Sequence, residues 1–113
     1  MRWGLVLAFL LAGCSKGPEA DLQYIKQARS LGAERALVNE QASRGQLTDT
    51  YVSSMRQWLR EQLQSTSRSL TRPDSRYAIE IQALIHQPDD AAPEELRAHC
   101  DKLKQIEDSL ESP

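Results

Sequence analysis

The sequence predicts an all-α fold, a small antiparallel bundle of four helices, two longer and two shorter. Three observations point there. Apolar residues recur at spacings of three and four in four successive stretches, the period of a helix with one buried face. Gln, Ala, Leu, Arg and Glu dominate, all good helix formers. β-Branched and aromatic residues are scattered singly, without the alternation of a half-buried strand. The stretches are joined by connections of about 3–6 residues, which favour antiparallel neighbours. No repeat of fixed period is present.

The first helix is predicted over residues 19–43. Tyr24, Ala28, Leu31, Arg35, Val38 and Ala42 form its stripe, broadened by Leu22, Ile25 and Leu37. Arg35 interrupts this stripe, and Gly32 weakens the middle by up to about 1 kcal/mol relative to Ala. Gly45 stands where a C′ glycine ends a helix.

The second helix starts after Thr48, a good N-cap residue. Asp49 suits the positive end of the helix dipole, and Leu47 and Val52 fit a hydrophobic staple. Its apolar line is Val52, Met55, Leu59, Leu63, Thr66 and Leu70, flanked by Tyr51 and Trp58. The serine-rich run at residues 65–69 is weakly helical and predicts fraying before Pro73.

The third helix, residues 74–87, presents Tyr77, Ile81, Leu84 and Ile85 on one face, and Pro88 stops it. Pro93 opens the fourth helix, where its missing N–H costs nothing. Leu96, His99, Leu103, Ile106 and Leu110 line one side of that helix, with Cys100 beside them.

The amino-terminal segment carries a different signal. Arg2 precedes an uncharged apolar run, residues 3–12, and small residues lead into Cys14. A short basic start, an apolar segment of about 7–15 residues and a small-residue end make a secretory signal. The string Leu11-Ala12-Gly13-Cys14, followed at once by the polar Ser15-Lys16-Gly17-Pro18-Glu19, resembles the lipobox of bacterial lipoproteins. The resemblance implies cleavage before Cys14, acyl chains on that cysteine, and attachment to the membrane through the lipid. Ser15 at the next position implies sorting to the outer membrane, facing the periplasm. The expected organisation is a signal peptide at 1–13, a lipidated tether at 14–19 and one helical domain at 20–113. The apolar run is too short for a membrane span of about 20 residues.

Cleavage removes Arg2 from the 14 basic residues and leaves the 16 acidic ones, a mature net charge of about −3. No basic run is present, so no nucleic-acid partner is expected.

The inventory for catalysis or metal binding is thin. A ligand or thiol site would have to be built from His86, His99 and Cys100. His99 and Cys100 are adjacent, so on a helix they point about 100° apart. The simpler assignments are a stripe residue for His99 and a small buried hydrophobe for Cys100. His86 would pair with the negative end of its helix. With Cys14 lipidated, Cys100 has no intramolecular disulfide partner. The pairs Asp89-Asp90, Glu94-Glu95 and Asp108 with Glu111 suit a solvated loop, a helix start and a solvated face. Tyr51, Trp58 and Tyr77 could line a cleft or pack in the core.

No enzyme activity, cofactor or metal is therefore expected. The chain resembles the small helical outer-membrane lipoproteins that serve as pilotins or assembly accessories, in lipobox and predicted architecture alone. That resemblance implies a tethered module binding an envelope protein. The alternative is a helical module that takes a small apolar ligand or lipid.

Overall fold

The computed structural model of the protein describes residues 18–112. Among these residues it contains four α-helices and no strand: α1 (Leu22–Ser43), α2 (Asp49–Arg68), α3 (Arg76–Ile85) and α4 (Pro93–Glu111). A short 3₁₀ turn, Pro18–Asp21, leads into α1. The fourth helix runs 19 residues because no Gly or Pro interrupts it between Pro93 and Glu111, so α3 is the one short α-helix and the expectation of two shorter helices holds only for α3.

The chain runs up, down, up, down. Asn39 of α1 meets Arg56 of α2 near one end, while Asp21 meets Thr71 near the other. Lys26 pairs with Glu111, and Glu40 with Arg97, so α4 also runs antiparallel to α1. Gln82 of α3 meets Ser67 of α2, and Asp89 beyond α3 meets Arg60. Each helix packs on its two neighbours in chain order around the ring, and α1 also reaches α3 across the core.

The helix ends follow local chemistry. The Thr48 hydroxyl accepts from the Tyr51 N–H at 3.2 Å, and Ser75 does the same for Ala78 at 3.2 Å. With Ser75 as its cap, α3 starts at Arg76 and ends at Ile85, two residues inside the expected range at each end. Gly45 takes φ +67°. Its N–H reaches the Ala42 carbonyl and that of Gln46 reaches Gln41, the paired bonds of a Schellman end. The serine-rich end of α2 stays helical to Arg68 rather than fraying. Thr66 is buried there and donates back to the Gln62 carbonyl at 2.9 Å. Tertiary burial overrides weak propensity in this stretch.

The core is built from the predicted stripes. Leu59, Leu63, Ile81, Leu84, Leu96 and Leu103 are fully buried, with Ile25 and Ala28 from α1. Leu37 departs from expectation: it lies 47% exposed on the outside of α1. Because α1 touches every other helix, its buried arc is wide, and it turns toward Ala36 and Asn39 instead of Leu37.

Gly32 is a packing residue, not merely a weak point. A Cβ there would stand 2.7 Å from Cys100 Sγ and 2.8 Å from Leu84 Cδ2, so α4 and α3 approach α1 only because that atom is missing. Gly32→Ala is expected to lower stability by about 1 kcal/mol, the helix-propensity gain being outweighed by overpacking. Urea midpoints would check this. Adding Cys100→Ala should recover part of the loss, and a stabilised Gly32→Ala protein would contradict the close contact.

Candidate functional site

Cys14, the residue with the sharpest predicted role, lies outside the described residues. The other three predicted residues are described, and the structure does not bring them together.

His86 caps the end of α3. It is exposed, and its Nδ1 meets the Gln82 carbonyl oxygen at 2.7 Å. It lines a shallow groove with Arg60, Gln64 and Ile85, on the α2 side of the bundle. Cys100 sits on the opposite side, buried against Gly32, with its Sγ 3.5 Å from the Arg29 carbonyl. Burial, helped by Asp101, pushes this thiol from an ordinary 9.0 up to about 11. A thiol held protonated this way is a poor nucleophile and a poor metal ligand at neutral pH.

His99 has a partner that its sequence position did not announce. Its Nδ1 is hydrogen-bonded to the Glu80 carboxylate across the α3–α4 seam. The Gln87 amide nitrogen lies 3.0 Å from Nε2 and donates to it, which leaves the ring hydrogen on Nδ1, facing Glu80. Both side chains are mostly covered, at 17% and 16% exposure. Among the described residues no hydroxyl or thiol is hydrogen-bonded to this ring, whose two nitrogens face Glu80 and Gln87. The arrangement therefore ties α3 to α4 and leaves no ring nitrogen for a substrate proton.

Two further buried polar groups shape the molecule. Arg35, which appeared to interrupt the α1 stripe, is only 2% exposed. It donates to the carbonyls of Leu84 at 2.7 Å, Gln87 at 3.2 Å and Pro88 at 2.9 Å. Leu84 and Pro88 also accept from the Gln87 and Ala91 N–H groups, at 3.4 and 3.0 Å, so the guanidinium adds a second, charged donor at the negative end of α3 and in the loop that follows it. Burial, and then the neighbouring Arg60 cation, lower the basicity of the Arg35 guanidinium. Beside it, Asn39 donates to the carbonyls of Asp89 and Ala91 at 3.0 and 2.9 Å. The loop at residues 86–92 is thus held from α1.

At the opposite end, Asp21 is fully buried. Its carboxylate accepts from the Thr71 N–H and hydroxyl at about 3.0 Å, and from the Tyr77 hydroxyl at 2.5 Å. Burial, together with this bond to Asp21, raises the Tyr77 pKa. Tyr77 is therefore a core residue, whereas Tyr51 and Trp58 are 49% and 47% exposed.

Asp108 and Glu111 lie exposed on the outer face of α4, as expected, and there they take part in an ion-pair seam. With the buried Glu107 these carboxylates lie within 4.8 Å of one another. Each has a cation: Arg29 at 3.1 Å from Glu107, Lys104 at 2.8 Å from Asp108 and Lys26 at 3.3 Å from Glu111. The cluster is already neutralised, and it joins α4 to α1 instead of presenting free ligands. Asp108 in turn raises the pKa of Lys104.

No helix among the described residues is long and apolar enough to cross a membrane. No family model, curated protein or solved structure matches the chain.

Proposed function

We propose that the chain is a lipid-anchored module of the cell envelope that works by binding a partner protein, not by catalysis. The observation that carries this reading is the Leu11-Ala12-Gly13-Cys14 string at the end of an uncharged apolar run. Its resemblance to a lipobox assigns Cys14 to lipidation and, with Ser15 beside it, the domain to the periplasmic face of the outer membrane. The tether at 14–19 reaches at most roughly 20 Å, so the bundle is held at the membrane surface. α1, 22 residues long, places the loop at 44–48 roughly 33 Å from its own start, and Arg35 and Asn39 hold the loop at 86–92 on the same half of the bundle.

The surface supports a protein partner over a small apolar ligand. Leu37, Tyr51, Trp58 and Ile79 are large apolar side chains left exposed. Tyr51 and Trp58 are seven residues apart and share one face of α2. The larger grooves at the surface are lined by mixtures such as Asn39, Asp49, Arg56 and Asp90, unlike the enclosed apolar cavity a lipid would need.

Replacing Cys14 by Ser tests the anchor. The variant is expected to take up no labelled palmitate and to stay uncleaved or mislocalised, whereas the native chain matures through a globomycin-sensitive step. Normal maturation of the serine variant would leave a conventionally secreted protein and remove the basis for this reading.

A further inference from the structure

We infer that the groove along the α3–α4 seam is a docking site for an acidic amphipathic helix of a partner protein. This deepens the interaction reading given above and rests on it. The groove has a volume of about 450 Å³ and is lined by Arg76, Ile79 and Glu80 from α3, and by Lys102, Gln105 and Ile106 from α4.

Each wall is an i, i+3, i+4 set, so two helical ridges border one trough. A third helix packs into such a trough by placing its own apolar stripe between the ridges. Ile106 forms the floor, at 9% exposure. Ile79 forms a wall and is 63% exposed, the most exposed of the large apolar side chains described. An isoleucine left this bare on a short helix is covered by whatever fills the groove.

Charge complementarity identifies the occupant as acidic. Arg76 and Lys102 stand on opposite walls, and neither has a carboxylate within ion-pair distance among the described residues. Glu80 is the one acid of the lining; its carboxylate is turned to His99 and is only 16% exposed, so with Arg76 and Lys102 the lining keeps a net positive charge. The trough thus offers an aliphatic centre with two free cations at its rims. Aliphatic side chains flanked by Asp or Glu on one helix satisfy both. The trough is open along its length, which suits a helix better than a small amphiphile, whose pocket would enclose most of its surface.

Two synthetic amphipathic helices with the same leucine stripe, one flanked by glutamates and one by lysines, provide the probe. They would be titrated into the full anchored chain held in zwitterionic nanodiscs, with amide chemical shifts as the readout. The acidic peptide is expected to bind about tenfold or more tighter than the basic one, with shifts centred on residues 76–80 and 102–106. Arg76→Glu with Lys102→Glu should invert that preference, and Ile79→Ala should weaken both peptides. These positions are exposed, so unchanged melting temperatures would separate lost binding from lost fold. Equal binding of the two peptides, or shifts elsewhere, would overturn the assignment. So would displacement of the acidic peptide by dodecyl phosphate with the anionic amphiphile binding tighter, or a concentration-dependent dimer abolished by Ile79→Arg. In cells, a photo-crosslinking side chain at Ile79 is compared with the same group at Trp58 and Leu37. Adducts at Trp58 or Leu37 alone would sink the groove but leave the interaction reading standing. Adducts at none of the three would count against both.

Discussion

Asp21→Ala is expected to destabilise the protein by about 3 kcal/mol, because it strands the buried Tyr77 hydroxyl, at a cost of about 1–3 kcal/mol, and removes the charge-assisted bonds to Thr71, whose donors then turn to water. The carboxylate is fully buried and is the shared acceptor for Thr71 and Tyr77. It is the pin that holds the start of α1 to the α2–α3 connection and to α3. Asp21→Asn keeps the shape and one acceptor and should lose about half as much. Urea unfolding measures both. In a Tyr77→Phe background one of the donors is gone, so the cost of Asp21→Asn should shrink. A loss below about 1 kcal/mol for Asp21→Ala would mean that the carboxylate does not organise this end of the bundle.

Arg35→Ala is expected to cost about 3–4 kcal/mol, concentrated in α3. The guanidinium caps the carbonyls of Leu84, Gln87 and Pro88, and no other side chain donates to them among the described residues. α3 has only 10 residues, a length at which a helix depends on its tertiary contacts. A lysine has one ammonium where arginine has a planar fork, so Arg35→Lys should recover less than half of the loss. Hydrogen exchange would localise the effect. The amides of Arg76–Ile85 should lose protection before those of α1 and α4. Uniform loss across all helices would show that Arg35 acts on the core as a whole and not as the cap of α3.

The bundle was legible because each helix announces itself locally. Val52, Leu59 and Leu63, or Leu96, Leu103 and Ile106, recur at helical spacing, and all are buried. Thr48, Gly45 and Pro93 mark helix boundaries through their own backbone chemistry. The polar core was not legible. Asp21 and Asn39 look like any surface residues of a helix, and Arg35 looks like a flaw in a stripe. Their partners lie about 50 positions away, on a turn, a loop and a helix end. Spacing along a chain carries no information about such pairings. The His99–Glu80 bond was hidden for the same reason, since it crosses between two helices 19 residues apart.

What the sequence by itself determined is the set of helices, their order and the apolar faces they bury, because periodicity and capping act over a few residues. It also carries the lipobox-like string on which the proposed anchoring rests. Tertiary structure alone decided how wide the buried arc of α1 is, why Gly32 must lack a side chain, and which polar groups enter the core. It also decided that Ile79, Arg76 and Lys102 share one open trough with Ile106. Those outcomes depend on which surfaces meet when the helices pack, and burial turns a nearby carbonyl, carboxylate or missing methyl into the dominant contact only there.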